Sequence, residues 1–208
     1  EREREREMRE MMKREKLEGG IDVLINNAGI SSRGTALDTN IDILHKIMAT
    51  NFYGPVELSR SVLPQMCERK RGAIAVISSV QGKFGMPYRS SYSASKHAVQ
   101  GYFDGLRAEV ASSGVTVTLI SPGYVATSLS LNAVLSDGSR YGVTDETTAK
   151  GLKPGEVARQ VLKGVAEGVA EVMIADVQGT VAVQIKTLFP ELMALLMRKR
   201  EKTRETRE

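Results

Sequence analysis

The chain has 208 residues, 41% hydrophobic and 26% charged, enough for one domain with a buried core and ordinary for a globular protein. Its net charge of +4 resides mostly in residues 198–208, which contribute +3, so the balance describes a tail and excludes a basic nucleic-acid-binding body; no nucleic-acid motif is visible. The single Cys67 excludes an internal disulfide, His45 and His97 make no metal spacing, no uncharged apolar run reaches 18 residues, and no signal-peptide pattern opens the chain.

Residues 1–18 (EREREREMREMMKREKLE) hold seven acidic and seven basic side chains. Opposite charges at i and i+3 suit a solvated helix, but almost no apolar face exists, so a projecting or frayed helix is expected. Asp22–Asn26 (DVLIN) reads as a short buried strand, followed by the NNAG turn of Asn26, Asn27, Ala28 and Gly29. Ala28 and Gly29 remove bulk where something flat could approach. Ile41–Arg69 carries a helical pattern with Ile43, Leu44, Ile47 and Met48 on its apolar face. Asn51 is a poor helix former inside it, and Gly54 and Pro55 predict a bend. His45 belongs on the surface of this helix.

Ala73–Ser78 (AIAVIS) is a second buried strand. It delivers Ser79 to the carboxyl edge of a sheet, where open α/β sheets keep their sites. Ser78 competes for the same role, and spacing to Tyr92 favours Ser79. Ser90–Ser112 reads as a helix whose apolar face is Ala94, Ala98, Val99, Phe103, Leu106 and Val110, ended by Gly114. Tyr92 and Lys96 share one face of it. His97 is expected to serve packing.

Val115–Ile120 (VTVTLI) is a third strand, rich in β-branched residues. Pro122 and Gly123 then turn the chain sharply. Backbone near Val125 and the Thr127 hydroxyl could hold a carboxamide. Leu129–Leu152 is loop-like and suits a substrate lid. Pro154–Gly168 predicts a helix and Glu171–Ala175 a fourth strand. Val181–Met197 is apolar and is followed by Arg198, Lys199 and Arg200. Such a helix either lies on an anionic membrane surface or packs on the body or a second subunit.

The chemistry centres on Tyr92 and Lys96. A free phenol titrates near ~10, too high for proton transfer at neutral pH. A nearby cation favours the phenolate, so the pair reads as an acid/base device acting on a hydroxyl or carbonyl. Ser79, thirteen residues before Tyr92, could hold the substrate oxygen. A lone Y-x-x-x-K also occurs as an exposed helix pair. Here it keeps company with NNAG, Asn51 and the PGYVAT segment of Pro122–Thr127.

This ordered set resembles the short-chain dehydrogenase/reductase family over roughly residues 21–175. The resemblance implies a Rossmann-like, doubly wound parallel α/β sheet. It implies an oxidoreductase passing a hydride between NAD or NADP and a carbonyl or secondary alcohol, with lipid-like substrates and a slight preference for NADP. It assigns Tyr92, Lys96, Ser79 and Asn51 to catalysis. Tyr92 would be the acid/base, Lys96 would lower its pKa and bind ribose, and Asn51 would place a relay water. It assigns Asn27, Ala28, Gly29, Tyr92, Lys96, Pro122, Gly123, Val125 and Thr127 to the coenzyme, and Ser79 to substrate. A homo-oligomer, and endoplasmic reticulum or peroxisomal membranes, are also implied; a cytoplasmic location follows if the chain is complete.

One departure stands out. The family's glycine-rich T-G-x-x-x-G-x-G turn, which binds the dinucleotide phosphates, is absent. Only 25 residues precede Asn26, and a βαβ unit needs ~30 or more. The expected domain is therefore a partial sheet lacking its first strands over 19–197, between the charged 1–18 and the basic 198–208. The edge of the Val23–Ile25 strand is expected to be open, which invites pairing. A second reading follows, a catalytically inactive fragment or interaction module.

Overall fold

The computed structural model describes residues 20–205, so the helix expected over 1–18 lies outside the described residues. Four strands form one parallel sheet in sequential order: β1 Val23–Asn26, β2 Gly72–Ile77, β3 Val115–Pro122 and β4 Glu171–Ile174. All four fall where the apolar runs predict them. The helices are α1 Ile41–Met48, α2 Gly54–Glu68, α3 Ser90–Val110, α4 Glu146–Ala149, α5 Pro154–Glu167, α6 Val177–Leu188 and α7 Pro190–Glu205.

Alternation along the strands divides the core between two faces. Ile74, Val76, Val117 and Leu119 meet Val62 and Met66 of α2 and Val99, Phe103, Leu106 and Val110 of α3. On the opposite face Ile120 and Ile174 meet Val157 and Val161 of α5. Coverage on both sides explains the unbroken apolar runs of β2 and β3, whereas β1, expected as a buried strand, is only partly covered. The outer edge of β1 pairs with no strand among the described residues, and Val23 and Ile25 are exposed.

Three predicted elements differ in the structure. The single helix expected over Ile41–Arg69 is interrupted by a wide π turn, Ala49–Tyr53. In an α-helix the Pro55 ring would collide with the carbonyl of Asn51. The wider turn removes that conflict, and the Gly54 N–H donates to the Ala49 carbonyl instead. The region expected as a loop, 129–152, contains α4 and is folded onto the segment after β1. Arg33 N–H donates to Val134 O at 2.9 Å, and Val134 N–H to Ser31 O at 2.9 Å. The C-terminal apolar stretch forms two helices and not one, because Pro190 cannot continue α6. α7 runs on through Arg198–Arg200, so the basic stretch begins as helix.

The α6–α7 hairpin is seated by Met193, which is buried against Val80, Phe84 and Met86. Its other side leaves Leu188, Phe189, Leu192, Leu195 and Leu196 exposed. Among the described residues no helix is long and apolar enough to cross a membrane.

After α3, a 3₁₀ turn over Ala111–Ser113 leads to Gly114 at φ 67°, a left-handed conformation that favours glycine. A Cβ there would lie 2.3 Å from the Lys70 carbonyl oxygen. Gly114→Ala should therefore destabilise the fold by more than ~1 kcal/mol, read as a lower urea midpoint with an unchanged m-value.

Candidate active site

Parallel neighbours bring Asn26, Ile77 and Pro122, the last residues of β1, β2 and β3, to one sheet edge. Helix α3 is clamped to that edge. Lys96 Nζ donates to the Ile77 carbonyl at 2.8 Å, and Ser78 Oγ donates to the Lys96 carbonyl at 3.3 Å. Gly82 lets the intervening turn press on α3: a Cβ there would lie 2.7 Å from Ser78 Oγ and 2.8 Å from Lys96 O.

Tyr92 lies one turn before Lys96, with Lys96 Nζ 5.8 Å from the ring centroid. Both side chains are buried. The Ser79 hydroxyl lies beside the Tyr92 phenol and lowers its proton affinity. It also accepts from the Gln81 N–H at 3.1 Å and faces the Pro122 carbonyl at 3.4 Å. Ser78 is engaged differently, accepting from Gln100 Nε2 at 3.1 Å. Of the two serines, Ser79 therefore meets the tyrosine.

Asn51, carried by the π turn, is 1% exposed. Its Oδ1 accepts from the Ile30 N–H at 2.8 Å, and its Nδ2 donates to Ile30 O at 2.9 Å and to Ser95 Oγ at 3.0 Å. Ser95 Oγ in turn donates to the Tyr92 carbonyl at 2.7 Å. Gly29 sits beside this group: a Cβ on it would lie 3.4 Å from Asn51 Oδ1 and 3.6 Å from Lys96 Nζ. Asn26 Nδ2 donates to Ser59 Oγ at 3.0 Å, tying β1 to α2.

The structure thus gathers Asn51, Ser79, Tyr92, Lys96, Gly29 and Pro122. Asn27 and Ala28 are exposed on their turn. Gly123 extends the sheet through its N–H to Ile174 O at 2.9 Å. Val125 bridges to Leu152, and Thr127 is exposed, its Oγ1 facing Val125 O at 3.5 Å. His45 is exposed, and His97 Nδ1 lies 2.8 Å from Ser93 O, a packing role.

The electrostatics differ from the expectation that Lys96 sets the phenol. Burial dominates and raises the Tyr92 pKa. The neighbouring Ser79 hydroxyl and the charges of Arg89 and Arg33 oppose that rise. Lys96, itself desolvated, is pushed down to about 8. A buried ammonium resting on one carbonyl is short of compensation, which is the physical reason.

Sequence reasoning did not find Arg33, Arg89 and Asp145. Arg33 Nη2 and Arg89 Nη2 both donate to Asp145 Oδ2, at 2.5 and 2.9 Å. Tyr141 OH donates to Asp145 Oδ1 at 3.2 Å. The local signal was weak: Arg89 stands three residues before Tyr92, but its partner is 56 residues away.

A buried tyrosine and lysine on one helix, a serine beside the phenol and an asparagine behind them thus meet at the carboxyl edge of a parallel sheet, in a Rossmann-like fold. The sequence profile of the short chain dehydrogenase family matches residues 2–136. The chain belongs to the short-chain dehydrogenase/reductase family. It is 52% identical over 188 residues to "Dehydrogenase/reductase SDR family member 7B" of Xenopus laevis, covering 90% of this chain and 58% of that protein. The chain therefore spans just over half the length of that relative. Among solved structures, a short-chain dehydrogenase from Streptomyces avermitilis matches with a TM-score of 0.71 at 25% identity, covering 97% of this chain and 76% of its own. A gluconate 5-dehydrogenase from Burkholderia cenocepacia, in complex with NADP and tartrate, matches with a TM-score of 0.64 at 26% identity, covering 75% and 64%.

The depressed Lys96 links stability to pH. Its ammonium titrates near 10.5 when unfolded and about 8 when folded. Between those values the unfolded chain holds more protons, so raising the pH favours the fold. The melting temperature of the wild type relative to Lys96→Met should therefore rise from pH 8 to pH 10, measured by circular dichroism. A pH-independent difference would contradict the burial of a charged Lys96.

Proposed function

We propose that this chain carries the proton-handling residues of an NAD(P)-dependent oxidoreductase acting on a carbonyl or secondary alcohol, with lipid-like substrates as the favoured class. The observation that carries this reading is the burial of Tyr92 and Lys96 one helical turn apart at the sheet edge, with Lys96 Nζ donating to the Ile77 carbonyl.

The residues present suit the nicotinamide and ribose end of a dinucleotide. Gly29 leaves the side of Asn51 and Lys96 free of a side chain, and the Pro122–Thr127 segment follows β3 at the same edge. The phosphate-binding glycine turn has no counterpart in the sequence. A nicotinamide coenzyme, when bound, supplies or accepts the hydride. Tyr92 would give a proton to the substrate oxygen in reduction and take it back in oxidation. Ser79 would hold that oxygen against the phenol. Lys96 would bind ribose, and Asn51 would hold a relay water behind it. The coenzyme would be NAD or NADP, with a slight preference for NADP; similar solved dehydrogenases include one in complex with NADP and one with NADH.

The exposed apolar side of the α6–α7 hairpin, continuing into Arg198–Arg200, favours contact with an anionic membrane surface. An endoplasmic reticulum or peroxisomal location agrees with that. Pairing with a second copy is the other use of this face.

NADPH fluorescence titration tests the coenzyme reading. Binding by the 208-residue chain, or binding restored by grafting the upstream segment of its relatives, supports it. Binding in neither protein overturns it. In the binding-competent protein, Tyr92→Phe should cut NADPH oxidation against lipid ketones by ~10²-fold or more, with coenzyme affinity within a few-fold. Near-normal turnover would refute the acid/base role. Flotation on anionic liposomes should require residues 177–208; equal flotation without them removes the membrane proposal.

A further inference from the structure

Helix α7 presents two different stripes. Met193, Met197 and Arg200 stand at i, i+4 and i+7 and face the body. Leu192, Leu195, Leu196 and Lys199 stand at i, i+3, i+4 and i+7 and form a second, exposed stripe. Leu188 and Phe189 extend its apolar part across the joint with α6.

The inner stripe touches two segments that carry the site. Met193, 3% exposed, packs with Val80, Phe84 and Met86, which lie between Ser79 and Tyr92 in the chain. That stretch is tied to the site at both ends. The Gln81 N–H donates to Ser79 Oγ at 3.1 Å, and Ser93 Oγ donates to Gln81 Oε1 at 3.3 Å. Two helical turns along α7 from Met193, Arg200 Nη2 donates to the Tyr124 hydroxyl at 3.3 Å. Tyr124 belongs to the segment that follows β3 at the same sheet edge. The hairpin itself follows β4, so β1 lies three strand spacings away, or ~14 Å.

The chemistry of the outer stripe selects its partner. Its apolar side chains are flanked by Lys186 before Leu188 and by Arg198 and Lys199 beyond Leu196, all exposed. A second copy of the chain would bring the same cations. A bilayer containing anionic lipids instead offers apolar depth beneath a layer of complementary phosphates.

We propose that α7 is a bridge between a bilayer and the active site. Its leucine stripe rests in an anionic membrane surface, while Met193 and Arg200, as positioning residues, hold the Ser79 turn and the Tyr124 segment against that surface. The site edge then faces the lipid, within reach of a membrane-resident carbonyl or alcohol. The proposal rests on the membrane reading of the hairpin and adds to it the orientation of the bound protein.

Energy transfer to a headgroup-labelled lipid tests this in the 208-residue chain, without coenzyme or substrate. On a Cys67→Ser background the donor is attached in turn to Leu195→Cys on the outer stripe, Ser128→Cys beyond Tyr124 and Val23→Cys on the β1 edge; all three positions are exposed. The vesicles are phosphatidylcholine containing phosphatidylserine. Transfer should be highest from position 195, and higher from 128 than from 23 by about twofold or more. Met193→Ala combined with Arg200→Ala should keep flotation but bring the signal from 128 down toward that from 23. Equal transfer from 128 and 23 in the vesicle-bound parent, or an unchanged signal from 128 in the double variant, overturns the proposal while the membrane reading stands. Should the double variant fail to fold, the order of the three parent signals decides alone. Absence of flotation overturns both. Dimerisation without vesicle binding, abolished by Leu192→Glu with Leu195→Glu, assigns the stripe to a second copy and also overturns both.

Discussion

The Lys96 ammonium rests on the last carbonyl of β2, and the rest of the site is built around that contact. It fixes the rotation of α3 relative to the sheet. Once Lys96 faces Ile77, the helical repeat brings Tyr92 to the same side one turn earlier. The chain continuing from Ile77 then has two residues in which to bring Ser79 to the phenol. Burying an ammonium with one carbonyl partner is costly, and the depressed Lys96 pKa records that cost. A group held so unfavourably by the fold is consistent with service to chemistry more than to stability.

The π turn solves a related packing problem. Asn51 must leave its helix far enough to bond both backbone groups of Ile30 and the Ser95 hydroxyl. An ordinary helical turn would face the Pro55 ring instead. Widening the turn relieves that collision and delivers the amide to the site, in keeping with the frequent association of such turns with function. Through Ser95, the same amide reaches the backbone of Tyr92. The NNAG turn, the broken helix and α3 are thereby one hydrogen-bonded unit.

Two electrostatic effects compete at the phenol. Burial favours the neutral tyrosine, while the arginine pair favours its anion. Asp145 pairs with both arginines and joins the 129–152 segment to them. A segment expected to act as a lid is thus fastened by ion pairs to Arg33 and Arg89. The exposed side of the α6–α7 hairpin lies apart from this group, seated on the body chiefly through Met193.

The strands were legible because each is a short apolar run bounded by turn residues, and Tyr92, Lys96 and Ser79 were legible because their spacings are local. Two features blurred the reading: Pro55 turned one predicted helix into three pieces, and Pro190 divided another. The Arg33–Asp145 and Arg89–Asp145 pairs were invisible, since 112 and 56 residues separate the partners and no periodicity links them. The sequence alone determined which residues share a helix face and which runs must be buried, because those follow from backbone geometry and apolar patterning. Tertiary structure decided which charges surround the tyrosine, because only the parallel stacking of β1, β2 and β3 brings their loops to one edge.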